Sequence, residues 1–179
     1  MGTQAAAADA GAELLRLYDP ALPQVYGYLL RRCGRSDTAE DLTSETFLAA
    51  ADAVRRNPPP RMDVAWLIGV ARHKLADHWR RAAREQRNLQ AVSEDPIERP
   101  GVEDPWDAHL DAMRAEQTLA ALAPQHRLAL TLRYVDDLPV AEVATVIGRT
   151  LHATEALLVR ARAAFRAHYV DDRGEDGHA

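Results

Sequence analysis

Apolar residues along this chain recur every three or four positions, the spacing of one helix face, and nowhere alternate with the period of two that marks a strand. Upstream, the pattern predicts helices over Ala12–Cys33, Thr38–Arg56 and Val64 to about Gln86. Downstream it predicts helices from about Ala108 to Leu122, Pro124 to Val135, Val140 to Ile147 and about His152 to Tyr169. Between the two groups, Val92–Trp106 carries prolines, a glycine and many acids without a sustained helical period, the composition of a linker. The prediction is therefore an all-α protein: two small helical domains joined by a flexible acidic linker, the second a helix-turn-helix domain. The expected boundaries are 10–88, a linker over 89–108, 109–170, and a disordered tail over 171–179.

The second predicted helix has a marked start and stop. Asp37 followed by Glu40 has the spacing of a capping box, with Asp in place of Ser or Thr. Asn57-Pro58-Pro59-Pro60 ends it, because proline lacks a donor and forces the preceding residue out of helical geometry. At 100° per residue, Ala39, Leu42, Thr43, Thr46, Phe47, Ala50, Ala53 and Val54 share one side. Glu40, Asp41, Ser44, Glu45, Leu48, Asp52, Arg55 and Arg56 share the other, so Leu48 sits among acids. A stray exposed leucine accounts for this pattern. So does a docking face with one apolar anchor ringed by charge. Periodicity alone does not choose between them.

The third helix is expected to bury Val64, Leu67, Ile68, Ala71, Leu75, His78, Trp79 and Ala82. Its other side presents Trp66, His73, Arg80 and Arg84, with Asp77 close by. An exposed Trp beside Arg residues suits single-stranded nucleic acid, since bases stack on aromatics while Arg holds the backbone. Packing of Trp66 on a neighbouring helix explains it as well.

Near the C-terminus, Val140-Ala-Glu-Val-Ala144-Thr-Val-Ile147-Gly148-Arg-Thr-Leu-His152 reads as a helix-turn-helix. Val143 and Ile147 point inward, Ala144 is small enough for a second helix to cross closely, and Gly148 supplies the left-handed turn. In the helix that follows, Thr154, Leu157, Leu158, Ala161, Ala164 and Phe165 form the inner stripe. His152, Glu155, Ala156, Val159, Arg160, Arg162, Ala163 and Arg166 face away. The first turns of such a helix read base edges, so His152, Glu155 and Ala156 are candidate readers and Arg160, Arg162 and Arg166 candidate phosphate contacts.

Composition narrows the classes. The charge of −5 argues against a uniform coat on nucleic acid, but the distribution is polar: Arg72, Lys74, Arg80, Arg81, Arg84 and Arg87 cluster upstream of the linker's acids. Such blocks point to two different partner surfaces. The single cysteine, Cys33, excludes an internal disulfide and suits a reducing cytoplasm. No run approaches the roughly 18 apolar residues of a membrane span, so no membrane insertion is expected. There is no Gly-rich phosphate loop, nucleophile elbow or zinc-type Cys pair.

Three blocks resemble a known family, in its order and with its spacing. Ala39-Glu40-Asp41-Leu42-Thr43-Ser44-Glu45-Thr46-Phe47-Leu48 is similar to the helix by which extracytoplasmic-function (ECF) sigma factors, group 4 of the sigma-70 family, grip the polymerase β′ clamp helices. Ala65-Trp66-Leu67-Ile68-Gly69-Val70-Ala71-Arg72-His73, with Asp77 and Arg80-Arg81, resembles their helix for the melted −10 element. Leu119–Phe165, with Arg127, Leu132-Arg133-Tyr134 and Arg160-Ala161-Arg162, resembles their −35-binding domain.

The resemblance implies a non-enzymatic protein, without cofactor, that directs promoter-specific initiation. Asp41, Ser44, Glu45 and Leu48 would contact polymerase. The loop from Asn57 to Asp63 would capture a flipped −10 base in a pocket completed by neighbours such as Trp66, with His73 also on the −10 surface and Arg80, Arg81 and Arg84 holding the phosphates. His152, Glu155, Ala156, Val159, Arg160, Arg162 and Arg166 would meet the −35 duplex. The implied partners are core RNA polymerase through its β′ clamp helices and β flap, promoter DNA and an inhibitory anti-sigma factor. The implied location is the cytoplasm, at the nucleoid when bound to polymerase. The chain departs from the family pattern at Ser44, where Gln is usual, at His73, where Asn is usual, and at Glu155 and Leu157, where the family commonly has Lys or Arg.

Two rivals come from other classes. His73, Asp77 and His78 have an H-x-x-x-D-H spacing that invites a metal-dependent enzyme, but His78 points about 100° away from the face shared by the other two. A stand-alone helix-turn-helix regulator explains the C-terminal half, yet gives no reason for the acid-rich face or the Trp-bearing basic helix upstream.

Overall fold

The computed structural model describes residues 2–56, 58–89 and 112–175 and, among them, contains helices and no strand. In chain order these are α1 (Gly2–Cys33), α2 (Ser36–Ala53), α3 (Val64–Leu89), α4 (Ala112–Ala121), α5 (Pro124–Leu130), a π-helical turn (Thr131–Val135), α6 (Val140–Ile147) and α7 (Leu151–Glu175). The chain forms two compact units, Met1–Asp77 and His78–Ala179, the division falling inside α3. The expected linker lies almost wholly outside the described residues, as do Asn57 and the last residues of the expected tail, 176–179. α7 itself runs to Glu175, past the predicted domain end at 170.

In the first unit, α1 runs through Pro20 and Pro23, each lacking the N–H that an α-helix needs, and Gln24 Nε2 donates to the Pro20 carbonyl at 2.9 Å. α1 packs along α2, with Ala21, Val25 and Leu29 fully buried on one side and Ala39, Leu42 and Ala50 on the other. Tyr18 and Phe47 add a tilted ring contact at 4.8 Å. The inner face of α2 also carries hydroxyls. Thr43 and Thr46 satisfy theirs on the Ala39 and Leu42 carbonyls, at 2.6 and 2.7 Å, so their burial leaves no orphaned donor.

α2 begins two residues earlier than its sequence pattern predicts. Arg35 is the N-cap, extended at φ −133°, and makes no side-chain capping bond, so the expected Asp37–Glu40 capping box does not form. The reason is a competing partner. Arg35 holds both Asp37 oxygens, at 3.1 and 2.5 Å, and the Thr38 N–H donates to Asp37 Oδ1 at 2.6 Å. The Arg35 hydrogen bonds, aided by that amide, keep the Asp37 carboxyl well below the usual carboxylate range.

α3 takes its cap from Asp63, whose carboxylate accepts from the Trp66 N–H at 2.7 Å. Its buried residues are Leu67, Ala71, Leu75, Ala76, Trp79 and Ala83. Ala76 and Ala83 thus take the place expected for Ala82, while Val64, Ile68 and His78 are half-buried.

In the second unit, α5 and α7 form the central pair, with α4 and α6 packed on α7. Arg127 closes the end of α4, donating from Nε to the Leu119 carbonyl at 2.8 Å and from a terminal nitrogen to Ala120. These are carbonyls that the helix itself leaves without donors. Arg114 ties α4 to α7 through the Tyr169 carbonyl, at 2.7 Å. α6 buries Val143, Ala144, Val146 and Ile147 and stops at Gly148, which has φ +72°. Gly148 N donates to Ala144 O at 2.9 Å, and Thr150 caps α7 by accepting from the Ala153 N–H at 3.2 Å. Thr154, Leu157, Leu158, Ala161 and Phe165 of α7 are buried, as their spacing predicts.

The left-handed backbone at Gly148 makes a direct prediction. Gly148→Ala should destabilise the protein by about 1–2 kcal/mol. Gly27→Ala, inside α1 with nothing within 4 Å of the added carbon, should stabilise it by about 0.5–1 kcal/mol. Chemical denaturation of both variants checks the opposed signs.

Candidate functional site

Burial of its inner face turns the other side of α2 to solvent. Glu40, Asp41, Ser44, Leu48 and Asp52 are exposed, Leu48 at 66%. Glu45 is half-buried and pairs with Lys74 of α3 at 3.4 Å. Ser44 returns its hydroxyl to the Glu40 carbonyl at 3.0 Å. Beside this face runs a groove lined by Leu22, Pro23 and Tyr26 of α1 and Glu40, Thr43 and Ser44 of α2. The four residues assigned to docking therefore share one surface: an apolar anchor flanked by acids, with a half-apolar groove alongside.

Along α3, Trp66 is half-buried and His73 and Asp77 are exposed, in the first unit. Arg81 and Arg84 are exposed in the second. Arg80 is half-buried there and donates to the Ile147 carbonyl at 3.2 Å, at the C-terminal end of α6 where the helix dipole is negative. Before α3, Met62 is buried, anchoring a loop whose Arg61 and Asp63 remain exposed. Among the described residues, no group of three or more His, Cys, Asp and Glu side chains is placed to hold a metal ion.

On α7, His152, Glu155 and Arg166 are exposed and Ala156, Val159, Arg160 and Arg162 half-buried, all on the side away from the core stripe. His152 Nδ1 lies 4.0 Å from Glu155 Oε2, so the two candidate base readers sit side by side on the first turn. Arg160 is held closer to the protein than its spacing predicts. Its Nε is buried and has no acceptor among the described residues. Arg162 donates to the Tyr134 hydroxyl at 3.0 Å. Sequence reasoning missed the caps at Asp63 and Thr150, although Asp and Thr just before an apolar helical run are recognisable start signals. It also gave Tyr134 no role.

A helix-turn-helix ending in an arginine-bearing helix, preceded by a unit with an acid-ringed leucine and a basic Trp-bearing helix, matches two family models. Residues 17–85 match sigma-70 region 2 and residues 112–173 match sigma-70 region 4. The ECF RNA polymerase sigma factor SigL of Mycobacterium tuberculosis is 32% identical over 83% of this chain and 84% of its own length. This chain belongs to the ECF sigma factors.

Another relative, the ECF sigma factor BldN of Streptomyces coelicolor, is 37% identical over 82% of this chain, and the match spans 56% of BldN. The sigma factor RpoE of Bartonella quintana, solved in complex with the anti-sigma factor NepR, shares the fold at a TM-score of 0.50. The likeness covers 89% of this chain and 96% of that one, at 21% identity. The region 2 match removes the reason for reading the chain as a stand-alone regulator. No helix among the described residues is long and apolar enough to cross a membrane.

Within this family reading, Arg160→Ala is expected to weaken binding of polymerase loaded with this chain to promoter duplexes of every sequence. The slope of log affinity against log salt should fall by about one. Titrations across a salt series check this, and a loss confined to one base position would make Arg160 a base reader instead.

Proposed function

We propose that this chain recruits core RNA polymerase to particular promoters, as a non-enzymatic initiation factor acting in the cytoplasm and at the nucleoid when bound to polymerase. The observation that carries the reading is the outer face of α2, where Asp41, Ser44 and Leu48 are exposed among the described residues beside the half-buried Glu45. A leucine exposed to this degree among acids has no packing role, and it suits docking on the β′ clamp helices, where burial of the leucine supplies affinity and the acids supply orientation.

The remaining surfaces divide the promoter between them. Residues 10–88 act as the region 2 domain. There the Pro-rich loop before α3 and Trp66 hold an unstacked −10 base, with His73, Arg80, Arg81 and Arg84 along the single strand. Residues 109–170 act as the region 4 domain, which places the start of α7 in the major groove at −35. His152, Glu155 and Ala156 face bases, with Val159 beside them. Arg160, Arg162 and Arg166 face phosphates, and the β flap of polymerase seats the domain. Joining two weak sites through residues 89–108 raises the effective concentration of the second, so modest contacts become selective. An anti-sigma factor that covers these surfaces is the expected inhibitor.

Asp41→Lys combined with Leu48→Ala tests the docking face while leaving the Glu45–Lys74 pair intact. The double variant should keep its helical circular dichroism and fail to co-purify with core polymerase. Co-purification at the level of the unsubstituted chain would remove α2 as the docking surface.

A further inference from the structure

The segment between α5 and α6 is built around a wider turn than an α-helix allows. Asp136 N donates to Thr131 O at 2.9 Å, five residues back, and Leu138 N reaches Leu132 O at 3.0 Å across Asp137, which has φ +52°. The extra residue in a π turn changes which side chains face outward. Here Thr131 and Leu132 stay in the core while Tyr134 and Val135 emerge, 40% and 53% exposed. Tyr134 is thereby brought beside α7, from a position 28 residues away in sequence, with its hydroxyl oxygen 3.0 Å from Arg162 Nη1.

A second guanidinium is nearby but has another task. Arg133 sits 5.4 Å over the Tyr134 ring, lies 3.6 Å from Asp137 Oδ1 and donates to the Leu138 carbonyl at 3.5 Å. It closes the turn. Arg162 lies eleven residues beyond the start of α7, about 16 Å along the helix, past the first turns that read base edges. Its place is that of a backbone contact.

We propose that Tyr134 is a positioning residue for DNA: its hydroxyl holds the Arg162 guanidinium, before binding, where it meets a backbone phosphate of the −35 duplex. This rests on the region 4 reading above and assigns a role to a residue outside the recognition helix. The choice of tyrosine has a physical reason. An Asp or Glu would hold Arg162 more strongly, but would cancel the charge that attracts the phosphate. A neutral acceptor takes one donor of the fork and leaves the charge whole. Because an arginine otherwise loses considerable rotamer freedom on binding, fixing it in advance raises affinity without adding a contact.

The test uses the full chain bound to core polymerase, with Tyr134→Phe, Arg162→Ala and the double variant, titrated on promoter duplex across a salt series. Tyr134→Phe should lower affinity by about threefold to tenfold, the scale of one hydrogen bond, while keeping the salt slope, because the charge remains. Arg162→Ala should lower both affinity and slope. Adding Tyr134→Phe to Arg162→Ala should then change nothing further, and both single variants should keep the helical circular dichroism of the unsubstituted chain. The proposal is overturned if Tyr134→Phe binds as tightly as the unsubstituted chain, or weakens binding by the same factor with and without Arg162. Those outcomes leave promoter recruitment standing. Failure of the unsubstituted chain to place polymerase on any promoter would overturn that broader reading and this proposal together.

Discussion

Burial of the inner stripe of α7 decides where every outward residue of that helix points. Leu157, Leu158 and Phe165 are each buried almost completely, and each such side chain contributes about 1.5–3 kcal/mol. A single surface hydrogen bond contributes about 1 kcal/mol. The helix therefore takes its rotation from the core, and contacts such as Tyr134–Arg162 adjust a side chain on a helix already placed. The left-handed turn at Gly148 sets the other coordinate, because it lets α7 begin at Leu151, with three residues between it and the end of α6, and pack back against it. Once both are set, His152 and Glu155 lie at the exposed start of the helix and Arg162 and Arg166 lie further along it.

The same division of labour operates in α2. Its inner face is made of small and hydroxylated residues, with Leu42 as the largest fully buried side chain, and every buried hydroxyl there is satisfied within the helix. The packing with α1 consequently asks nothing of the outer face. Asp41 and Leu48 stay exposed and Ser44 turns its hydroxyl back to the Glu40 carbonyl, whereas Glu45 is shared with Lys74. A surface whose composition the fold does not require is the kind of surface that a partner shapes.

Most of this architecture was legible in the spacing of apolar residues. The faces of α2, α6 and α7 follow from the helical period, and Gly148 announced its own turn. The start of α2 did not follow, because the capping rule presumes that Asp37 is available to the backbone ahead of it, and Arg35 claims its carboxylate. The stripe of α3 drifted for a geometric reason. Leu67, Ala71, Leu75, Trp79 and Ala83 step by four, and each such step overshoots a full turn by 40°, carrying burial from the expected Ala82 to Ala83. The role of Tyr134 was not readable because its direction depends on one extra residue in a π turn, which no periodicity records. Arg160, outward by spacing, is drawn against the protein by its long stem, a freedom that helical wheels do not represent.

As an ECF sigma factor, one chain both joins polymerase and chooses where it starts. Transcription in vitro with purified core polymerase across a library of promoter fragments tests it most directly. Adding the chain should yield transcripts from a defined subset of templates that share sequence around −35 and −10, with none from those templates when it is left out. Contradiction would be the same output with and without the chain on every template.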